Sequence, residues 1–115
     1  MQKTLATTPR KAEALTWLSI KDKIDRTVGK DDPIYTNADS IRFVKSLYTA
    51  GAVKVIAVNI AVSPSSEDTR TLIVQMPKNG PQRQQILNII NPIAQAGGFE
   101  ADTDFGQTYE MIFWD

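Results

Sequence analysis

The spacing of apolar residues alternates between two periods from Asn37 to Asp115, and this alternation constrains the fold more than any other feature of the sequence. Spacings of about 3.6 residues, typical of an amphipathic helix, give way to spacings of 2, typical of a half-buried strand, and back again. In chain order the segments are helix, strand, strand, helix and strand. Since each helix must bury one face against another element, this order predicts a mixed α+β domain.

The strongest strand pattern covers residues 52–62, which are largely apolar on both sides. Residues 63–69, which contain Pro64, are predicted to be a polar hairpin loop, and residues 70–76 the returning strand. A third alternating segment covers residues 107–114. The two sides of the first strand carry, respectively, Ile56, Val58, Ile60 and Val62, and Val53, Val55, Ala57, Asn59 and Ala61.

Two amphipathic helices are predicted on either side of this hairpin. The first begins near Asn37 or Asp39, whose side-chain oxygens can accept hydrogen bonds from the unpaired amides of a first helical turn. Gly51 ends it. Pro81 lies near the first position of the second helix, which ends at Gly97 and Gly98. Pro92 lies inside that helix and removes one backbone hydrogen bond, so we expect a kink or an early break there.

We interpret residues 1–115 as a single domain with three parts, since its length is that of one typical domain. Residues 1–8 are predicted to be a flexible lead-in. Residues 33–115 are the α+β core, which opens on a short β-like segment at residues 34–36. Residues 10–28 are predicted to form an N-terminal helix with an apolar stripe that includes Trp17, Ile20 and Ile24.

With residues 34–36 counted as a strand, residues 33–114 read βαββαβ, an order that resembles the ferredoxin-like fold. The resemblance implies a four-stranded antiparallel sheet with two helices on one face, here preceded by an extra N-terminal helix. Without that strand, a three-stranded sheet under two helices remains. Small ligand-binding domains of this fold commonly bind at a glycine-bearing turn after the first strand, and Thr36–Asp39 contains no glycine. The resemblance therefore implies no ligand and selects no function.

The second face of the predicted sheet needs a cover, because the strand at 52–62 is apolar on both sides and the helices occupy one face. The N-terminal helix is one candidate for this cover, a second subunit is another, and the protein's own helices and loops are the third. Large exposed apolar patches mark interfaces, and tryptophan is enriched there. The candidate interface residues are Trp17, Ile20, Ile24, Ala57, Asn59 and Trp114.

Charge is balanced overall but unevenly distributed, with 13 basic and 13 acidic side chains in 115 residues. Residues 1–30 carry seven basic and three acidic side chains, whereas residues 98–115 carry five acidic and no basic ones. This asymmetry has two interpretations. It is either scatter, or the two ends of the chain meet, within one molecule or between two.

The composition removes the commonest catalytic groups, since the chain has no histidine and no cysteine. We therefore expect neither a cofactor nor catalysis. The carboxylates Glu100, Asp102 and Asp104 alternate, but their spacing lacks the pattern of a calcium loop, and a solvated acidic edge is the favoured interpretation. The weak candidates for a small-ligand site are Asp102, Asp104, Tyr109 and Glu110.

The sequence also argues against two classes of partner. RNA binding on a sheet face needs aromatic residues on the central strands and a basic surround, and the strand at 52–62 has no aromatic residue. A membrane partner is not expected either, because the apolar stripe at 10–28 is narrow and no apolar run is long enough to span a bilayer.

These observations favour a cytoplasmic, non-catalytic binding module whose partner is another protein or a second copy of the chain. It is predicted to associate through its sheet face or N-terminal helix, and a small bacterial regulatory or immunity-type protein would fit. The alternative is a small-ligand-binding protein or enzyme that uses carboxylate and tyrosine groups near the C-terminal strand. A pocket of roughly 300 Å³ or more that gathers those groups would favour the alternative.

Overall fold

Seven strands and three helices form within residues 10–29 and 36–114, the part of the chain that the computed structural model describes. The helices are α1 (Ala14–Leu18), α2 (Asn37–Thr49) and α3 (Gln82–Ala96). The strands are β1 (Lys11–Glu13), β2 (Asp25–Val28), β3 (Lys54–Val58), β4 (Ala61–Val62), β5 (Ser66–Thr69), β6 (Thr71–Gln75) and β7 (Tyr109–Phe113). The main sheet is antiparallel with strand order β1-β3-β6-β7, so the predicted α+β class is confirmed.

A smaller sheet extends one end of the central hairpin. Its order is β2-β5-β4, with β2 parallel to β5 and β4 antiparallel to it. The predicted strand at 52–62 is therefore broken into β3 and β4. The break falls at Asn59, whose φ of 53° lies in the left-handed region that asparagine tolerates better than most residues. Residues 63–69 were predicted to be a loop but contain β5. The backbone groups of β5 form hydrogen bonds with β2 on one side and β4 on the other.

The register of the main sheet shows which side chains lie on the face that the helices cover. Val55 lies opposite Val74, and Leu72 lies opposite both Ala57 and Ile112. Each of these five residues is at most 1% exposed. Because cross-strand neighbours share a face, they form one continuous apolar surface. Helices α2 and α3 cover it with Val44, Leu47, Ile86, Leu87 and Ile90.

The other face of the main sheet has no such cover among the described residues. Ile56 and Ile73 are paired across β3 and β6 on this face, and both are half-buried. On the neighbouring strand β7, the exposed side chains are Tyr109, Met111 and Phe113. The sequence predicted a cover for this face, whereas within residues 10–29 and 36–114 no helix lies over it; a second subunit as the cover stays a prediction.

The predicted helix at 10–28 is wrong, because only residues 14–18 are helical. Glu13 ends β1 and caps α1, since its carboxylate accepts hydrogen bonds from the amides of Leu15 and Thr16. Farther along, β2 pairs with β5, a strand about 40 residues away, and this tertiary pairing overrides the local helical pattern. Helix α1 packs against α2 with Trp17 and Leu18 buried in the core, so it does not cover the open face.

The ferredoxin-like order is not confirmed. That order places the first strand of a βαββαβ unit between its third and fourth strands, whereas β6 pairs directly with β7 along its whole length. The predicted lead-in at 1–8 and most of the predicted strand at 34–36 lie outside the described residues. Thr36 is described and caps α2, where its hydroxyl accepts a hydrogen bond from the amide of Asp39.

The two long helices are confirmed close to their predicted bounds. Thr36 rather than Asn37 or Asp39 supplies the first cap. Pro92 does not break α3, which continues to Ala96.

A buried carboxylate joins the small sheet to the N-terminal segment. The Oε1 atom of Glu67 on β5 accepts hydrogen bonds from Trp17 Nε1 at 2.8 Å and Arg26 Nε at 3.1 Å. Its Oε2 atom accepts one from Arg10 at 3.0 Å. Arg26 is in turn held by a two-point ion pair with Asp22. Burial by itself would raise the pKa of Glu67, but the bonds from Trp17, Arg10 and Arg26 outweigh burial and lower it.

These ion pairs do not join the basic N-terminal segment to the acidic C-terminal segment. The basic side chains Arg10 and Arg26 pair with Glu67 and Asp22, which both lie outside the acidic C-terminal segment.

We expect Glu67→Gln to lower the free energy of unfolding by about 3 kcal/mol, because it leaves the buried guanidinium of Arg26 without one of its two counter-charges. Urea denaturation followed by tryptophan fluorescence measures this change. The matched control is Glu100→Gln, the same chemical change at an exposed residue, which should stay within about 0.5 kcal/mol of the wild type. Equal losses in the two variants would contradict the assigned role of Glu67.

Candidate functional site

A cavity of about 500 Å³ lies between β7, the C-terminal half of α3 and the segment 99–102. All five residues of β7 line it, including side chains that point to opposite faces of the sheet. The cavity therefore runs along the free edge of the strand, and we call it the β7 groove. Its lining residues are Ile90, Ala94, Phe99, Glu100, Asp102, Tyr109, Glu110, Met111, Ile112 and Phe113.

The backbone of β7 leaves hydrogen-bonding groups at this edge. The amide of Met76 donates to the carbonyl of Thr108, and that of Trp114 donates to Arg70. Because hydrogen-bonded pairs alternate in an antiparallel ladder, Glu110 and Ile112 also face β6. The amides and carbonyls of Tyr109, Met111 and Phe113 then face away from β6, and none has a backbone partner among residues 10–29 and 36–114.

Glu110 is the most unusual residue of the groove. It lies on the covered face opposite Val74 and is only 6% exposed. Burial raises the pKa of its carboxyl to about 7, and the neighbouring carboxylate of Asp102 adds to the rise. A hydrogen bond of 2.7 Å from Gln107 Nε2 opposes it. Glu110 is therefore able to hold or release a proton near neutral pH.

Arg83 holds the loop that leads into β7. This buried residue of α3 donates from Nε to Asp104 at 2.9 Å and from a terminal nitrogen to the Gln107 carbonyl at 2.8 Å. The same nitrogen donates to Gln107 Oε1 at 3.1 Å. Because Arg83 occupies the side-chain oxygen, the Gln107 NH₂ group is the part that faces Glu110. Arg83 thus positions Glu110 through Gln107.

A second contact fixes the far wall of the groove. The side chain of Asn91 on α3 donates to the carbonyl of Asp102 at 3.0 Å and accepts from the Asp102 amide at 2.9 Å. At one end, the rings of Phe99 and Phe113 meet edge to face with centroids 6.4 Å apart. The acidic wall is therefore anchored to α3.

The groove brings together three of the four predicted ligand-site residues. Asp102, Tyr109 and Glu110 line it, whereas Asp104 forms the ion pair with Arg83 instead. Arg83 and Gln107 were not among the residues predicted from the sequence. The feature that could have identified Arg83 is an arginine at a buried position of a helix. This position can be recognised only once the buried face of α3 is known.

The predicted interface residues are scattered. Trp17, Ala57 and Trp114 are buried in the core, and Trp114 packs edge to face on Phe43 of α2 at 5.5 Å. Ala57 lies on the covered face of the sheet. The others are exposed or half-buried at the surface, namely Ile20, Ile24 and Asn59.

No family model, curated protein or solved structure matches this chain. In the described ranges no helix is long and apolar enough to cross a membrane. The same residues contain no cluster of three or more metal-ligating side chains. A function for this chain is therefore inferred from the geometry of its own residues.

We expect Glu110→Gln to change how stability depends on pH. Between the ordinary pKa of 4.5 and the folded-state pKa of about 7, the folded protein keeps a proton that the unfolded chain releases. The contribution of Glu110 to stability therefore falls as pH rises through this window. Relative to the wild type, the free energy of unfolding of the variant should rise by roughly 3 kcal/mol between pH 4 and pH 8.

Urea denaturation of both proteins at several pH values measures this difference. Glu100→Gln, also at the groove but exposed, is the matched control and should show no such gain. A difference between wild type and Glu110→Gln that is constant from pH 4 to pH 8 would contradict the buried, proton-holding carboxyl.

Proposed function

We propose that this chain is a non-catalytic protein-binding module whose contact surface is the free edge of β7 with its groove. The observation that carries the proposal is the combination, on one strand, of outward-facing backbone groups and large exposed side chains. Met111 is 60% exposed, and Tyr109 and Phe113 lie beside it on the open face. Exposed apolar patches of this kind mark sites of association.

The extent of the exposed surface supports a protein as the partner. The apolar side chains of β7 continue across the open face onto Ile73 and Ile56, which are half-buried. A surface that joins a groove to an adjoining sheet face exceeds what one small molecule contacts. The regulatory or immunity-type role and the cytoplasmic location predicted from the sequence stay predictions.

Small-ligand binding in the β7 groove is the second candidate function. Its support is the cavity of about 500 Å³, which lies in the usual size range of ligand sites and gathers Asp102, Tyr109 and Glu110. The two candidates use the same groove, but only the first also uses the adjoining open face of the sheet, onto which the apolar surface continues at Ile73 and Ile56.

Photo-crosslinking in the cells that naturally make the protein tests the proposal. We expect Met111→p-benzoylphenylalanine to yield a covalent protein adduct on irradiation. The matched control is Val62→p-benzoylphenylalanine, because Val62 is equally exposed at 57% but lies on β4, away from the groove. Both positions are exposed, so the bulky residue fits without disturbing the core.

A protein adduct at position 111 and none at position 62 supports the binding module. Native mass spectrometry of the gently purified wild type separates the second candidate, which requires a bound non-protein mass. Absence of any adduct at position 111, or adducts of equal yield at both positions, would count against β7 as the contact surface.

A further inference from the structure

We infer that the partner of the β7 groove is an extended, lysine- or arginine-bearing segment of a different protein, which adds to the sheet as a fifth strand beside β7. This inference rests on the proposed function and specifies the chemistry of the partner. It follows from the backbone, the charge and the side-chain pattern of the groove.

The backbone of β7 is suited to strand addition. Tyr109, Met111 and Phe113 direct their amides and carbonyls out of the sheet, and a partner strand can bond to all three. Main-chain bonds of this kind supply affinity when a peptide joins a sheet edge, while side-chain pockets supply selectivity. Five residues of β7 correspond to a strand of about 17 Å.

The charge of the groove selects a basic partner. Among the residues that the structure describes, its lining includes Glu100, Asp102 and Glu110 and no basic side chain. Arg83 lies behind the groove. Its guanidinium already donates hydrogen bonds to Asp104 and to the main-chain and side-chain oxygens of Gln107. A lysine or arginine on the added strand therefore meets carboxyl groups that have no basic counter-charge among the described residues of the groove wall.

The position of Glu110 makes this requirement specific. Charged side chains that point inward from an edge strand discourage pairing with an arbitrary strand, because the newcomer must bury its residue beside the charge. A cation opposite Glu110 removes that penalty, whereas an apolar or acidic residue does not. Residues of the added strand on the opposite face would lie beside Met111, so apolar side chains fit there.

A second copy of this chain fits the groove poorly. Pairing of β7 with β7 would bring two segments 98–115 together, each with five acidic and no basic side chains. Like charges across an interface oppose association. The acidic groove thus favours a different protein over the homodimer that the sequence also permitted.

Binding should also depend on pH. The groups that face Glu110 are Asp102 from the segment 99–102 and Gln107 from the preceding loop, with Arg83 of α3 behind Gln107. Glu100 also lines the groove. A cation placed beside Glu110 favours the ionised form of its carboxyl, so binding releases a proton near neutral pH and tightens as pH rises from 6 to 8.

The test uses a seven-residue peptide of alternating lysine and valine, blocked at both ends, with the purified full-length protein. Two control peptides match it: one with glutamate for lysine, and one N-methylated on the amides that face β7. Amide chemical shifts and hydrogen exchange locate the binding, and a titration gives Kd. The protein controls are Glu110→Gln and, outside the groove, Asp68→Asn.

We expect the lysine peptide to bind with a Kd below about 1 mM and to slow amide exchange at Met111 and Phe113. N-methylation should weaken binding at least about tenfold, because it removes two or more hydrogen bonds. Glu110→Gln should weaken it about fivefold at pH 8, and Asp68→Asn should leave it unchanged. The glutamate peptide should not bind.

Three results would overturn the inference. Shifts centred outside residues 99–113 would place the peptide elsewhere. Equal affinity of the N-methylated peptide would exclude strand addition. Protection of the same amides by raising the protein concentration alone would make a second copy the occupant. In each case a protein adduct at position 111 would leave the binding module standing, so the two proposals fail separately.

Discussion

The alternation of side chains along β7 decides where the chemistry of this protein lies. Register with β6 places Ile112 opposite Leu72 in the core, and the period of two then puts Glu110 on the same buried face. A carboxyl in that position needs support, and Gln107 and Arg83 provide it. The same alternation directs Met111 to the open face and the backbone of Tyr109, Met111 and Phe113 to the edge. One strand therefore supplies the buried acid, the exposed apolar surface and the backbone groups that have no backbone partner within residues 10–29 and 36–114.

Two buried polar networks join parts of the molecule that are distant in sequence, and the second of them positions the loop before this strand. Glu67 ties the N-terminal segment to β5 through Trp17 and Arg26, and Arg83 ties α3 to the loop before β7. Removing one partner of a buried ion pair lowers the free energy of unfolding by far more than the intact pair adds to it, because the other charge stays buried without a partner. The two carboxyls differ in their pKa. Burial would raise both, but the bonds from Trp17, Arg10 and Arg26 outweigh it and lower the pKa of Glu67, whereas burial and the nearby Asp102 raise the pKa of Glu110 despite the hydrogen bond from Gln107.

Sequence reasoning succeeded where the pattern was local and failed where distant pairing decided the outcome. Both long helices and the three strands of the central hairpin and C-terminus were predictable, because their apolar spacing is regular. The segment 10–28 has helical spacing too, yet most of it is not helical, since β2 gains more by pairing with β5. The cluster of Asp102, Tyr109 and Glu110 was predictable as a weak site. Its connection to Arg83, more than 20 residues away, was not.

The sequence by itself determined the α+β class, the main hairpin, the absence of histidine and cysteine side chains, and a strand that is apolar on both sides. Periodicity carries that information because each element must match its own local repeat. Only the tertiary structure decided that β7 is an edge strand, that Glu110 is buried beside Asp102, and that a groove runs between them and α3. Those facts depend on strand order and on contacts across the chain, which local spacing does not specify.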